Sequence, residues 1–211
     1  MEEKGTMAGE RALRRPRDTR EVLIQTAQRL FFSRGFHQVG TGEICAKAGV
    51  NKGTFYHFFP SKLALALAAL DDYGEKTEAN MLEISRSSLS PKTKLRRILT
   101  LPRVAHAHLG ESEGRFWGCF VGNMALEMCS GEPELQARIQ DILRKWEDAL
   151  RPIVKALVEE GLVPRVSLKK ATEALLSYME GLTLMAKAQN DPRVFERLAP
   201  GGMTLLRAFG S

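Results

Sequence analysis

The spacing of the apolar residues constrains this 211-residue chain more than any other feature of its sequence. Apolar side chains recur every three or four positions along nearly its whole length, and no long stretch alternates apolar with polar residues. The first pattern gives an α-helix one apolar face, whereas the second would indicate a half-buried strand. Leu, Ala, Glu, Lys and Arg, which favour helices, are abundant. We therefore predict an all-α fold.

Glycine, proline and capping residues divide this pattern into helices. The first helix is expected from about Asp18 to just before Gly35, and two short helices are expected to begin at Thr41 and Lys52. Ser61 is placed to cap a long fourth helix. Further helices are predicted at residues 91–109, 116–129, 133–160, 168–188 and 192–208.

Length and composition exclude several classes of protein. No run of 18 apolar residues occurs, so no segment is expected to span a membrane. The first fifteen residues are charged and lack an apolar core, which argues against a secretory signal peptide. Three widely spaced cysteines make neither a disulfide framework nor a metal quartet, so we expect a cytoplasmic location.

The sequence carries no familiar catalytic or metal-binding motif. It contains no G-x-S-x-G, no P-loop and no H-E-x-x-H. His106 and His108 are two residues apart, so on a helix they point to different faces and make a poor metal site. We expect no enzyme activity, no cofactor and no metal ion.

Positive charge is concentrated at the start of the chain. Residues 1–62 contain 11 Lys and Arg against 6 Asp and Glu, whereas the remaining residues contain 20 against 19. A basic module suits a polyanionic partner, because Lys and Arg neutralise phosphates in nucleic-acid binding. A solvated basic tail explains the charge equally well, and residues 1–16, with Arg11, Arg14 and Arg15, are predicted to form a flexible basic segment.

Within this basic region the sequence has the form of a helix-turn-helix. Two short helices are joined by a tight turn from Ala46 to Asn51, with Gly49 inside it. Gly53 leaves room where the third helix would meet a DNA groove, and the Thr54 hydroxyl can contact a base edge or a phosphate. The side chains expected to form the small core of this unit are Phe31, Phe36, Ile44, Val50 and Phe55.

From Arg20 to Leu65 the sequence resembles the DNA-binding domain of the tetracycline-repressor (TetR) family. The matching residues are Ala27, Leu30-Phe31, Gly35-Phe36, Ile44, Ala48-Gly49-Val50, Gly53 to His57 and Phe59 to Lys62. The resemblance implies a three-helix DNA-binding domain over residues 17–62 and a larger helical effector-binding and dimerisation domain over residues 63–211. The DNA contacts that it implies are Thr41, Lys47, Asn51, Lys52, Gly53, Thr54, Tyr56, His57 and Lys62.

Among these residues the resemblance implies two roles. Thr41, Tyr56 and Lys62 would contact phosphates. The residues that would face the major groove of double-stranded DNA are Asn51, Lys52, Thr54 and His57. The sequence departs from the family pattern at Val39-Gly40, which replace a common Thr-Ser pair, so Thr41 is expected to cap the second helix. Gly42, Phe58 and Leu63 also depart from it, and base reading is expected to concentrate on the third helix.

Two apolar stripes lie near the end of the chain. They comprise Ala171, Ala174, Leu175, Tyr178, Leu182 and Met185 in one helix, and Phe195, Leu198, Leu205, Leu206 and Phe209 in the next. Members of the family pair such helices between subunits, so the resemblance implies a homodimer on a pseudo-palindromic operator. A role in the internal core is the alternative for some of these positions.

The segment from Phe116 to Cys129 is nearly all apolar. On a helix, Cys119, Asn123 and Glu127 would share one face, where they could orient a small apolar or amphipathic effector. Hydrogen bonds from Asn123 and Glu127 to neighbouring backbone or to a partner helix explain these polar residues equally well. The candidate pocket residues are His106, Phe116, Trp117, Cys119, Phe120, Asn123, Glu127, Trp146 and Tyr178. For His106, Trp146 and Tyr178, packing is the alternative and the one we favour.

Cysteines in this segment suggest a second kind of signal. The Gly-Cys sequence ending at Cys119 resembles the start of the corresponding helix in electrophile-sensing members of the family. Cys119 and Cys129 are redox candidates if the thiol pKa is lowered, for which Arg115 lies one turn back. A buried cysteine that packs as a small hydrophobic residue is the alternative, and it is the one we favour.

Together these features predict a ligand-responsive DNA-binding transcriptional regulator, a repressor that a small-molecule effector releases from its operator. A thiol-based electrophile sensor of the same fold is one alternative. A small-molecule binding protein with a vestigial DNA-binding domain and a helical enzyme that acquired this module are rivals from other classes.

Overall fold

The computed structural model describes residues 16–107 and 114–209, with side chains described for residues 19–104 and 114–209. Every regular element in these two ranges is a helix, which confirms the all-α prediction. The helices are α1 (Pro16–Arg34), α2 (Thr41–Ala48), α3 (Lys52–Phe58), α4 (Lys62–Arg86), α5 (Pro91–Leu99), α6 (Leu101–Ala107), α7 (Phe120–Met128), α8 (Pro133–Glu159), α9 (Leu168–Gln189), α10 (Val194–Leu198) and α11 (Gly201–Ala208). None of these helices has the length and hydropathy needed to cross a membrane.

Helices α1, α2 and α3 form the predicted helix-turn-helix unit. Gly49 ends α2 with a φ of 69°, in the left-handed region that favours glycine. The Asn51 side chain then caps α3 by accepting a hydrogen bond from the backbone N–H of Thr54. Of the predicted core, Phe31, Phe36, Ile44 and Phe55 are buried, and Val50 packs against them half-buried.

Helix α4 belongs to both the helix-turn-helix unit and the larger helical body. Near its start it packs on α1, where the Gln28 side chain donates a hydrogen bond to the Ala69 carbonyl oxygen at 2.8 Å. Farther along it packs on α8, and Trp146 Nε1 donates to the Gly74 carbonyl oxygen at 3.1 Å. A β-carbon on Gly74 would lie only 3.0 Å from the Ile142 side chain, so glycine allows the two helices to approach closely.

Two of the predicted helices are each divided by a proline. The helix expected at 91–109 is α5 and α6, separated at Thr100, because Pro102 has no N–H to donate to Ile98. The helix expected at 192–208 is α10 and α11, which Pro200 separates for the same reason.

A third prediction, the helix beginning at residue 116, is wrong at its start. Gly118 has a φ of 89°, so residues 115–119 are not helical, and α7 begins at Phe120 with Cys119 as its N-cap. Helices α8 and α9 agree with their predicted ranges to within one residue, and α1 begins two residues earlier than expected.

Replacing Phe55 with alanine tests the core of the helix-turn-helix unit. The side chain is 0% exposed, so its removal leaves a cavity and should lower the free energy of unfolding by about 3–5 kcal/mol. Urea denaturation followed by circular dichroism measures this change. The neighbouring variant Tyr56→Phe is the control, because Tyr56 is exposed and its hydroxyl adds nothing to the core. An equal loss of stability in both variants would contradict the assigned packing.

Candidate nucleic-acid interface and effector cavity

The expected DNA contacts in α2, α3 and the turn between them form a mostly exposed surface. Lys47, Lys52 and His57 are exposed, and Tyr56 is 53% exposed, an unusual state for an aromatic side chain. Gly53 is exposed as well, and Thr41 and Thr54 are half-buried. The geometry therefore presents cationic side chains and a phenol on and beside α3, which suits contact with phosphates and bases.

Asn51 and Thr54 contact each other within this surface. Asn51 Oδ1 accepts hydrogen bonds from the Thr54 N–H at 2.7 Å and from the Thr54 hydroxyl at 3.1 Å. Paired recognition of adenine needs both the amide oxygen and the amide nitrogen of an asparagine. Since the oxygen is engaged in capping α3, this arrangement favours Lys52, Tyr56 and His57 as the side chains that reach DNA.

The start of α2 differs from the expectation that Thr41 caps it. Gly40 is the N-cap, with an extended backbone and no capping side chain among the described residues, and Thr41 is the first helical residue. Glu43 lies in the first turn, where its carboxylate pairs with the Arg34 guanidinium at 2.5 Å. This ion pair fixes α2 against the end of α1.

The Lys62 ammonium is hydrogen-bonded within the protein. Its ammonium donates hydrogen bonds to the carbonyl oxygens of Phe36 at 2.9 Å and Val39 at 3.0 Å, and it lies 4.0 Å from the centre of the Phe36 ring. Burial lowers its pKa, and the nearby Glu127 carboxylate partly opposes that shift. The expected phosphate anchor thus holds the α1–α2 loop, residues 35–40, in this structure.

Glu127 of α7 binds the same loop from its other side. Its two carboxylate oxygens accept hydrogen bonds from the backbone N–H groups of Phe36 and His37, both at 2.8 Å. A β-carbon on Gly35, whose φ is 85°, would lie 2.8 Å from the carboxylate, so glycine is needed for this approach. Glu127 therefore does not line the pocket as predicted, since its carboxylate reaches the helix-turn-helix unit instead.

An aromatic cluster fills the contact between the helix-turn-helix unit and the body. Phe32 of α1 lies with its ring centre 5.4 Å from that of Phe120 and 5.8 Å from that of Trp117. Tyr73 of α4 contacts Phe32, Phe120 and the buried Trp146. Trp117, Phe120 and Trp146 were predicted to line the pocket, but they pack in this cluster because α1, α4 and the start of α7 converge there.

A cavity of about 350 Å³ lies between α7, α8 and α9. It is lined by Gly118, Cys119, Val121, Gly122, Asn123, Ala125, Leu126, Ile139, Leu143, Glu180, Gly181, Thr183, Leu184 and Lys187. Leu126 is 80% exposed and Leu184 is 55% exposed, so the cavity opens to the surface. A small, mostly apolar cavity with a few polar groups is the usual form of a site for small molecules.

Of the predicted pocket residues, Cys119 and Asn123 line this cavity. Phe116 packs on Phe195 instead, with ring centres 5.7 Å apart. Tyr178 donates a hydrogen bond to the Leu198 carbonyl oxygen at 2.6 Å, so it ties α9 to α10 and lies outside the cavity lining. The His106 side chain lies outside the described residues.

Sequence reasoning missed two charged residues of the cavity, Glu180 and Lys187. They are seven positions apart on α9, so they share one face, but charged residues on a helix usually face solvent. Glu180 is partly buried where it packs against the start of α7, which the sequence does not reveal, whereas Lys187 lies in the cavity wall but stays exposed. There the Lys187 ammonium donates to Asn123 Oδ1 at 2.7 Å, and the Asn123 amide donates to the Trp117 carbonyl oxygen at 2.9 Å.

The surroundings of Cys119 count against electrophile sensing. Its sulfur is buried and accepts a hydrogen bond from the Gly122 N–H at 3.4 Å. Burial, and then the neighbouring Glu180 carboxyl, raise the pKa of the Cys119 thiol well above its ordinary value. Burial also raises the pKa of Cys129. The reactive thiolate is therefore disfavoured, which is the opposite of what a thiol sensor needs.

This combination of a helix-turn-helix unit and a helical body with a cavity defines a DNA-binding regulator. The family model described as bacterial regulatory proteins, tetR family, matches residues 23–69. A second model, described as tetracyclin repressor-like, C-terminal domain, matches residues 95–200. The chain belongs to the TetR family of helix-turn-helix transcriptional regulators.

Known proteins similar to this chain include regulators from several bacteria. The transcriptional repressor NemR of Escherichia coli K12 is 39% identical over 120 residues, which are 57% of this chain and 59% of that protein. A TetR regulatory protein from Rhodobacter sphaeroides has a similar structure, with a TM-score of 0.78 and 25% identity over 88% of this chain and 97% of that one. FadR of Bacillus subtilis, solved in complex with stearoyl-CoA, shares the fold with a TM-score of 0.71 and 18% identity over 89% of this chain and 97% of that one.

Substitution of Glu127 by glutamine tests the contact between α7 and the α1–α2 loop. Glutamine has one acceptor for two N–H donors, so at least one charged hydrogen bond is removed, which should cost about 1–3 kcal/mol. Hydrogen exchange measured by NMR should show faster exchange at the Phe36 and His37 amides. Glu83→Gln, at an exposed position of α4, is the matched control. Unchanged exchange at both amides in the Glu127 variant would exclude the contact in solution.

Proposed function

We propose that this protein is a homodimeric repressor that a small effector releases from a pseudo-palindromic operator. One observation carries the proposal: a single helix, α7, lines the cavity and also binds the helix-turn-helix unit. Residues 121–123, 125 and 126 of α7 form part of the cavity wall, and Glu127 accepts the two backbone hydrogen bonds from the α1–α2 loop. A molecule that displaces α7 therefore changes the support of α2 and α3.

In the proposed DNA complex, α3 lies in the major groove. Lys52, Tyr56 and His57 contact DNA directly, with Lys47 and the start of α2 at Thr41 beside the phosphates. Lys62 contributes through the α1–α2 loop, since its ammonium donates to two carbonyl oxygens there. The domains follow the same division, with DNA binding in residues 17–62 and effector binding and dimerisation in residues 63–211. The proposed location is the cytoplasm.

Release follows from linkage between the two sites. The effector must bind more tightly to the conformation that fits the operator poorly, and DNA then weakens effector binding by the same factor. The cavity volume of about 350 Å³ lies near the lower end of the range for ligand sites, which favours a small molecule. The FadR complex with stearoyl-CoA supports ligand binding by a protein of this fold.

The dimer interface that we propose involves α9, α10 and the end of α11. Of the two predicted apolar stripes, Ala171, Leu175, Leu182, Phe195 and Leu206 are buried within the protomer and belong to its own core. Met185, Leu198 and Phe209 remain exposed in these helices or just beyond α11. A second subunit would remove this apolar surface from water and place two α3 helices on one DNA duplex.

The proposed function is tested by selecting genomic DNA fragments with the purified protein and then screening for compounds that release them. We expect the protein to select a fragment with two symmetric half-sites. A compound that binds in the cavity should release this fragment. Binding of the compound without any DNA selection would favour a small-molecule binding protein with a vestigial DNA-binding domain. Turnover of the compound would favour an enzyme.

Leu198→Glu tests the dimer. A carboxylate at this 46%-exposed position would be buried against the partner, so sedimentation should show dissociation to monomers at micromolar concentration, with loss of operator binding. Val104→Glu on α6, at a 51%-exposed position outside the proposed interface, should remain dimeric. A Leu198 variant that stays dimeric would place the interface elsewhere.

Salt titrations of operator binding distinguish the proposed roles of Lys52 and Lys62. Lys52→Ala should weaken binding and reduce the slope of log K against log salt by about 0.9 for each phosphate that the variant no longer neutralises. Lys62→Ala should also weaken binding, because the α1–α2 loop is left without its cation, but with an unchanged slope. The exposed Lys155 of α8 provides the control substitution. A reduced slope in the Lys62 variant would restore Lys62 as a direct phosphate anchor.

A further inference from the structure

The cavity contains a buried carboxyl oxygen that has no partner. Glu180 extends from α9 into the cavity lining, and its Oε1 is buried without a hydrogen bond to any described part of the chain. A β-carbon on Gly122 would lie 2.8 Å from Glu180 Oε2, so the missing side chain at Gly122 makes room for the carboxyl group. The Cys119 thiol hydrogen-bonds the Glu180 carboxyl, but a thiol is a weak donor and Oε1 has no partner among the described residues. Buried polar oxygens are costly when unpaired, so this position suits a donor carried by a ligand.

The residues around Glu180 indicate what kind of molecule would supply this donor. The nearest described ammonium in the wall, Lys187, already donates to Asn123 Oδ1 at 2.7 Å. The side chains that complete the wall are mainly aliphatic: Val121, Ala125, Leu126, Ile139, Leu143 and Leu184. A ligand that fits this wall is therefore apolar over most of its surface and has a hydrogen-bond donor at one end.

A cationic donor suits this position best. Hydrogen bonds between an ammonium and a carboxylate are stronger than those of a neutral hydroxyl, above all where water is excluded. An anionic ligand would instead meet the Glu180 carboxyl with like charge. We propose that the cavity binds an apolar molecule with one protonated amine, whose N–H group donates to Glu180 Oε1. This proposal rests on the proposed function, because such an amine would be the effector.

The titratable groups around Glu180 give the proposal a pH dependence. Burial raises the pKa of the Glu180 carboxyl, and the Cys119 thiol beside it partly opposes the shift. Burial also raises the pKa of Tyr73 on α4 and lowers that of Lys187 on α9. An ammonium ligand favours the ionised carboxylate, so its affinity should rise with pH as Glu180 loses its proton. An alkylamine keeps its own proton up to about pH 10, as lysine does.

Calorimetric titration of the 211-residue chain with n-hexylammonium, n-hexanol and hexanoate tests the site, because these probes share one alkyl chain and differ in the end group. Hexylammonium should bind about tenfold more tightly than hexanol, and hexanoate should bind most weakly. Glu180→Gln should remove the preference for hexylammonium and change hexanol binding little. Glu173→Gln, at an exposed position on the same helix, should behave as the unsubstituted protein.

Equal binding of hexylammonium and hexanol, or a preference that survives Glu180→Gln, would overturn the proposal. If the Gln variant does not fold, the order of the three probes and the pH dependence of hexylammonium binding in the unsubstituted protein decide the question. Operator release is measured separately by fluorescence anisotropy. Binding at Glu180 without release upholds the cation site and counts against its role as effector site, whereas operator binding without any hexylammonium binding overturns the site alone.

Discussion

The Glu127 carboxylate connects the body of this protein to its DNA-binding unit. It accepts hydrogen bonds from the N–H groups of Phe36 and His37, while Lys62 donates to carbonyl oxygens of the same loop. The loop leads directly into α2, so the position of α2 and α3 depends on two charged side chains from α4 and α7. Charged hydrogen bonds are short and directional, and they therefore fix position more closely than apolar packing alone.

Helix α7 contacts both the cavity and the helix-turn-helix unit. Gly118, with its positive φ, lies just before α7 and is not helical. The first turns of α7 then form the wall of a cavity together with α8 and α9. Its other end carries Glu127, and Phe120 packs on Phe32 and Tyr73 beside the helix-turn-helix unit. The cavity and the DNA-binding unit thus share one short helix, and the proposed linkage between effector and operator rests on this arrangement.

Local sequence predicted much of the fold, because periodicity and turn residues act over a few positions. The core around Phe55, the turn at Gly49 and the long helices α8 and α9 were all predictable in this way. Contacts between distant residues were not. Glu127 accepts hydrogen bonds from residues about 90 positions away, Asn51 caps α3 with its side-chain oxygen, and Gly122 leaves the room that the Glu180 carboxyl occupies. Such pairings depend on tertiary packing, which no spacing rule contains.

In the proposed function, Glu127 transmits occupancy of the cavity to the DNA-binding unit. The most direct test is the factor by which a releasing compound lowers operator affinity, measured in the unsubstituted protein and in Glu127→Ala. Because Glu127 is not part of the cavity wall, the variant should bind the compound with the same Kd, yet its operator affinity should hardly respond to the compound. An undiminished response in the variant would exclude this role of Glu127 and place the coupling in the aromatic cluster or α4.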